Sequence, residues 1–370
     1  VHIQTDIVVF GRGFFVNCFI KNCLDSQIDV VHLVPKHQES RVSLPVAIDY
    51  HFGSDPKNIL DFRFSPSAEK TAMLYPGPMV WPGEDAREGP AISLRSWNFV
   101  ARKEGVSVTA LNRLEDFFLE QKIHARPVQG YQLLSMLVEP AWTREMPFVG
   151  LSLPGMYDID VEQFSRGIEE YVSEKLGTSR QFEEAEIHSL HADTIQTQTK
   201  AGSISIHSKK SIVFCPDYST RFIFERLFSG ILQVDKPQLG YFQFEHIHEF
   251  TIHSRNMISL EHVLFFENAV LYAVSPRELR CLVFKKPHDS GTNPQSDSAG
   301  PPLSEVSRIL AHLLGWDSCT IRGYRRVEVF SQEFAVVKPP SHSNVNIILP
   351  KSASLPSLVK EAADWAGRIS

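Results

Sequence analysis

The stretch Asp6-Ile7-Val8-Val9-Phe10-Gly11-Arg12-Gly13-Phe14-Phe15-Val16 decides how the rest of this 370-residue chain is read. Asp6 to Phe10 is a run of β-branched and aromatic residues without polar alternation, the pattern of a strand buried on both faces in a parallel sheet. Gly11-Arg12-Gly13 breaks that run at once, and Phe14 to Leu24 has helical spacing. A second unbroken apolar strand, Asp29 to Val34, is closed by Pro35. Strand, glycine turn, helix and strand within about thirty residues make a βαβ unit. Two glycines in an α/β turn are common, so this unit names a layout and not yet a ligand.

Beyond it, residues 36 to 90 are rich in Pro and Gly, as in Tyr75-Pro76-Gly77-Pro78, and predict loops and short strands. The apolar spacing predicts helices over Ala91 to Glu104 and Val108 to Glu120, and another over Tyr131 to Val138 that stops at Pro140. A loop then leads to Asp158-Ile159-Asp160. An amphipathic helix follows over Val161 to Leu176, with Asp160 as its cap and Gly177 just past its end. Glu186 to Leu190, Thr194 to Thr199 and Ser203 to His207 read as a three-stranded meander, handing over to a strand at Ser211 to Cys215. A second β-rich zone includes Tyr241 to Phe244, Glu249 to His253, Val263 to Phe266, Val270 to Val274 and Arg280 to Phe284. His288 to Pro302 is a polar Ser/Gly/Pro/Asn segment expected to be a disordered surface loop. Leu303 to Leu314 is expected to be helix, Arg325 to Phe330 and Val345 to Leu349 strands, and Ser357 to Ile369 the last helix.

Composition excludes several classes. With 43% apolar residues the chain has ample material for a core, which sets aside disordered and fibrous proteins. A net charge of −6 without a Lys/Arg block argues against nucleic acid, whose phosphates call for a concentrated positive field. Five scattered cysteines with no C-x-x-C pair read as reduced thiols. No run approaches the ~18 apolar residues of a membrane span, and no basic segment followed by an apolar stretch opens the chain, so a soluble cytoplasmic protein without membrane partners is expected. His246 and His248 share a strand face and His253 has the opposite parity; with no third ligand beside them, no metal site is expected. Gly-x-Ser-x-Gly and Walker-type loops are absent, which leaves hydrolase and nucleoside-triphosphatase readings without support.

The order of these parts resembles the FAD-dependent D-amino acid oxidase and glycine oxidase family along nearly the whole chain. Ile7-Val8-Val9-Phe10-Gly11-Arg12-Gly13 resembles the family's dinucleotide fingerprint, and Tyr157-Asp158-Ile159-Asp160 its segment beginning G-x-V-D-P. Ile212-Val213-Phe214-Cys215-Pro216-Asp217 is similar to its V-V-x-A-x-G strand, Tyr272-Ala273-Val274-Ser275-Pro276-Arg277 to its Y-x-x-P-R strand, and Gly323-Tyr324-Arg325-Arg326 to its G-x-R-P segment. The resemblance implies an α/β fold in which a Rossmann-like FAD-binding-type domain (1–75, 150–230 and 320–370) is interleaved with a mixed-sheet substrate-type domain (76–149 and 231–319). It implies FAD as cofactor, with Gly11, Gly13, Val34, Asp217 and Lys351 at the cofactor-binding positions. Arg325 then stands where the family's arginine pairs with a substrate carboxylate, and Tyr241 and Tyr272 line the same cavity. From the residues alone, Arg325 reads as a salt-bridging arginine beside Arg322 and Arg326, and the two tyrosines as ordinary strand residues.

Departures from the family pattern fall on positions with definite physical duties. The third fingerprint glycine, which lets helix and strand pack closely, is replaced by Val16, whose branch is expected to press the helix away from the sheet. The acidic residue that accepts hydrogen bonds from ribose hydroxyls is replaced by Val34. Asp217 sets a negative charge where a glycine would approach the pyrophosphate, Pro216 removes a backbone donor, and a glycine-rich turn is replaced by Leu349-Pro350-Lys351-Ser352. The 20 glycines, fewer than the 25 phenylalanines, are thus missing where a flavin would meet the backbone. Two readings follow. In one, eroded FAD motifs leave a non-catalytic or accessory subunit of an oxidoreductase system, pairing with a related active flavoprotein. In the alternative, a divergent pocket serves an active FAD-dependent oxidoreductase that oxidises a small amine or amino acid.

Overall fold

The computed structural model describes residues 1–36, 92–102, 107–120, 124–129, 148–159, 161–215, 244–266, 269–285, 301, 303–304, 306–307, 310, 319–330, 335–337, 344–349 and 355–369. In chain order the elements are β1 (His2–Gly11), α1 (Phe14–Asp25), β2 (Val30–Pro35), β3 (Ile92–Arg102), α2 (Ser107–Glu120), β4 (Arg126–Gln129), β5 (Phe148–Ile159), α3 (Val161–Arg180), β6 (Gln181–His191), β7 (Thr194–Thr199) and β8 (Gly202–Cys215). They continue with β9 (Phe244–Ser254), β10 (His262–Phe266), β11 (Ala269–Ser275), β12 (Glu278–Lys285), β13 (Cys319–Phe330), β14 (Ala335–Val337), β15 (Val345–Leu349) and α4 (Leu355–Ile369). The expected helix at Tyr131 to Val138 lies outside the described residues, as do nearly all of the Pro/Gly-rich segment and of the polar segment at 288–302. Chain packing divides the protein into one unit of Val1–Pro45, Asp160–Glu245 and Glu328–Ser370 and another of Val46–Ile159 and His246–Val327.

In the first unit β1 lies parallel to β2, with Ile7 opposite Val30 and Phe10 opposite Leu33, and parallel to β8, from His2 opposite Ser205 to Gly11 opposite Cys215. β2 continues in parallel to β6, and β6, β7 and β8 form the antiparallel meander. These pairings close a circuit through β1, β2, β6, β7 and β8. The meander's last strand and the strand entering the parallel sheet, expected as two pieces, are one strand of 14 residues. Its first half pairs with β7 and its last residues with β15, while β1 holds the opposite edge. Val8, Phe10, Val31, Leu33, Ile212 and Phe214 pack into one core on one face of this sheet. Ile7 and Val9 have the opposite parity and are equally sealed, which explains the absence of polar alternation. α1 is buried on nearly every side, from Phe14 through Lys21 and again at Cys23. Burial of Phe19 and Ile20, both fully enclosed, contributes about 1.5–3 kcal/mol apiece. Its one buried cation, Lys21, reaches Asp25 one turn on at 2.5 Å and lies over the Tyr171 ring of α3. α3 breaks at Gly177 (φ 59°, ψ −176°), the residue expected just past its end, and resumes to Arg180.

The second unit is an eight-stranded mixed sheet in the order β13-β9-β12-β11-β10-β3-β5-β4. Two expectations are corrected here. Residues 92–102 are not helical but form β3, parallel to β10 and antiparallel to β5. Trp97, Asn98, Phe99 and Val100 are all fully buried, so apolar residues occupy both parities, and a strand sealed on both faces mimics helical spacing. The segment expected to loop toward Asp158 is strand β5 through Ile159. Its Pro154 and Gly155 fall in a register shift, with Trp97 opposite Leu153 and Arg95 opposite Met156, and a bulge tolerates a proline that a regular ladder does not. Phe99 stacks on Phe265 at 4.8 Å and meets Phe118 of α2 at 5.9 Å, fastening α2 to the sheet.

Candidate functional site

The glycine turn sits where β1 ends and α1 begins, and its two glycines answer different demands. A Cβ on Gly11 would stand 2.5 Å from the Cys215 carbonyl oxygen of the neighbouring strand, so the approach of β8 requires a glycine here in addition to its φ of 157°. Gly13 has φ 108°, a conformation L residues rarely adopt, and a Cβ there would meet none of the described residues within 4 Å. It contributes no side-chain cap, and the first intrahelical bond runs from the Asn17 N–H to the Gly13 carbonyl. Among the described residues nothing crowds the positive end of α1 at Gly13, an arrangement that suits an anionic group. Val16 does not force α1 off the sheet, contrary to expectation. Its Cγ2 fits 3.1 Å from where a Gly11 Cβ would be, so the branch occupies room the missing Cβ leaves, and α1 still packs on β1 and β2.

The end of β2 is less suited to a nucleotide. Val34 is 5% exposed and its side chain offers no hydrogen-bond acceptor. Two residues earlier, on the same side of the strand, buried His32 has its Nε2 3.0 Å from the Gly11 carbonyl oxygen, a contact that requires Nε2 to carry the proton. Burial pushes this imidazole down to about 4, against smaller opposing effects of the Gly11 hydrogen bond and Glu183, so it is neutral near pH 7. Its Nδ1 is then an acceptor, and it has no partner among the described residues. Among the described residues a flavin dinucleotide thus finds a fitting turn for its pyrophosphate but no carboxylate at the end of β2 for its ribose. Asp217, Pro216, Pro350 and Lys351 lie outside the described residues.

In the second unit the sheet register brings two candidate residues onto one face. Tyr272 of β11 is directly opposite Arg280 of β12, which is opposite Thr251 of β9, and Glu249 stands two residues from Thr251 on the same face. Arg280 Nη1 donates to Glu249 Oε1 at 2.7 Å. Arg325 of β13 donates to the other oxygen, Oε2, from Nε at 2.9 Å and from Nη2 at a shorter distance. Gly323 lies against Thr251, where a Cβ would be 3.3 Å from the threonine side chain, so a glycine lets β13 lie close to β9 there. The Glu249 side chain is 7% exposed against 41% for Arg325, so a buried carboxylate is bracketed by two guanidinium groups. On the opposite face His248 Nδ1 is 2.9 Å from the Tyr324 hydroxyl, and the two rings stack. Tyr241 lies outside the described residues.

Sequence reasoning missed Glu249, Arg280 and His32. Only Glu249 left a signal: it is an acidic residue in a strand pattern immediately before the core residue Phe250. Among the described residues no group of three or more His, Cys, Asp or Glu side chains is placed to hold a metal ion, and no helix is long and apolar enough to cross a membrane.

Neither a protein-family model nor a curated protein sequence matches this chain. Solved structures do. Glycine oxidase from Geobacillus kaustophilus superposes with a TM-score of 0.65 over 99% of this chain and 94% of its own, at 11% identity. Iminodiacetate oxidase from Chelativorans sp. BNC1 gives 0.65 over 98% and 94%, at 11% identity. L-proline dehydrogenase from P. horikoshii gives 0.64 over 100% and 94%, at 10% identity. At such identities the likeness concerns architecture, and it spans both units: the chain has the D-amino acid oxidase-type fold that these oxidases and this dehydrogenase share.

Proposed function

We propose that this chain is a flavin-oxidase fold serving as a non-catalytic or accessory subunit of an oxidoreductase system, paired with a related active flavoprotein. The observation that carries the reading is the end of β2, where Val34 is buried and His32 is turned inward onto the Gly11 carbonyl. The strand that would anchor the adenosine ribose presents an apolar side chain there, and the glycine that survives at position 11 is accounted for by Cys215. Occupation of the Arg325 guanidinium by Glu249 adds to this, since the structural neighbours named for glycine, iminodiacetate and proline handle amines that carry carboxylates. The alternative, an active FAD-dependent oxidoreductase acting on an amine or amino acid, draws on the open turn at Gly13. FAD fits the turn and not the strand end.

The absorption spectrum of the purified protein tests the proposal. A colourless protein that stays colourless after incubation with FAD is expected, together with co-purification of an intact flavoprotein. Flavin bands near full occupancy would establish the alternative instead, and persistent isolation as a monomer without partners would remove the subunit role.

A further inference from the structure

Arg325 and Arg280 converge on a carboxylate that belongs to the chain itself. The Nε–Nη2 edge of a guanidinium presents two parallel donors and is the edge that clamps a carboxylate. In Arg325 both of these donors are directed at Glu249 Oε2, while Oε1 takes Arg280 Nη1. The three charged side chains come from three adjacent strands, β12, β9 and β13, so backbone ladders hold them in register. Tyr272, opposite Arg280, extends the row on the same face. A ligand carboxylate approaching the Arg325 fork would have to displace a tethered rival that is nearly buried and already held by three hydrogen bonds. Tethering gives such a rival a large effective concentration, so it wins against a free ion of the same chemistry.

We infer that Glu249 is an internal carboxylate filling a latent site for small carboxylates on this face, and that it sets the ligand class of the face by excluding carboxylated amines. The site proper is the Arg325 fork with Arg280 beside it. Removing the Glu249 side chain takes away the carboxylate that Arg325 Nε and Nη2 and Arg280 Nη1 now hold. The inference stands on the second unit alone and holds whether or not a flavin is bound.

The test uses the full chain, with Glu249→Gly compared with the wild type in sodium acetate or sodium chloride of equal ionic strength. Acetate at about tenfold its Kd is expected to raise the melting temperature of Glu249→Gly by about 3–6 °C over chloride. The wild type is expected to show no acetate-specific shift and no heat of glycine binding by calorimetry. Adding Arg325→Met to Glu249→Gly should abolish the acetate effect, since it removes the fork and leaves the space. Absence of an acetate-specific shift in a folded Glu249→Gly protein would overturn the inference. So would acetate or glycine binding to the wild type that Arg325→Met removes. If Glu249→Gly folds only in acetate, the rescue supports the inference directly. If it folds in neither salt, the wild-type titration with and without Arg325→Met decides.

Discussion

Replacing Gly11 by alanine tests whether that glycine serves the fold or a ligand. The added Cβ would be 2.5 Å from the Cys215 carbonyl oxygen. A carbon and a carbonyl oxygen sit comfortably at ~3.3 Å, so a gap of ~0.8 Å must open between β1 and β8. Neither atom can step aside alone, because both belong to backbone paired along the register from His2 opposite Ser205 to Gly11 opposite Cys215. Overpacking of this kind costs about 1–3 kcal/mol, and a contact between two backbones belongs at the upper end. At ~2–4 °C per kcal/mol for a unit of this size, the melting temperature should fall by about 6–12 °C. Gly13→Ala provides the control. Its Cβ meets no atom of the described residues, and its φ of 108° alone should cost about 1–2 kcal/mol. Urea unfolding followed by far-ultraviolet circular dichroism, without added ligand, compares the three proteins. A Gly11→Ala midpoint equal to that of the wild type would refute the close approach of β8. If Gly11→Ala and Gly13→Ala were equally destabilised, the division of labour within the turn would be wrong.

Restoring a carboxylate and a small residue, as Val34→Glu with Val16→Gly, should raise FAD affinity about tenfold or more, on the basis of one net charge-assisted hydrogen bond to the ribose; flavin fluorescence titration measures it, and no gain would mean that other positions govern binding. His32 should shape the acid limb of stability. Its folded value of about 4 lies below the unfolded 6.5, so protonation favours the unfolded chain, and up to roughly 3 kcal/mol present above pH 6.5 should drain away as pH falls to 4. Urea midpoints of His32→Gln, which keeps a donor for the Gly11 carbonyl, should show a flatter slope in that window, whereas an identical slope would remove His32 as its source. Phe99→Ala should cost about 3–5 kcal/mol through the cavity left between Phe265 and Phe118, measured by the same unfolding assay; a loss under about 1 kcal/mol would argue against that packing.

The local grammar of strands, turns and helices was legible in the residues alone. Unbroken β-branched runs gave β1 and β2, the helical spacing between them gave α1, and turn residues gave the meander from Glu186 to His207. These readings held because each depends on which parities of a short segment are apolar, a property of the segment alone. The same reasoning mistook β3 for a helix, because Trp97, Phe99 and Val100 are buried on both faces and a doubly buried strand has no period of two to detect. Tertiary structure alone decided what the functional candidates touch. Gly11 is explained by Cys215 of a distant strand, and Val16 by the room that same glycine leaves. Arg325 is paired with Glu249, 76 residues earlier in the chain, through a sheet order that places β13 beside β9. Composition and spacing state which residues can hydrogen-bond or pack, but strand register chooses the partner, and register is set by pairing between segments that carry no mark of one another in the linear chain.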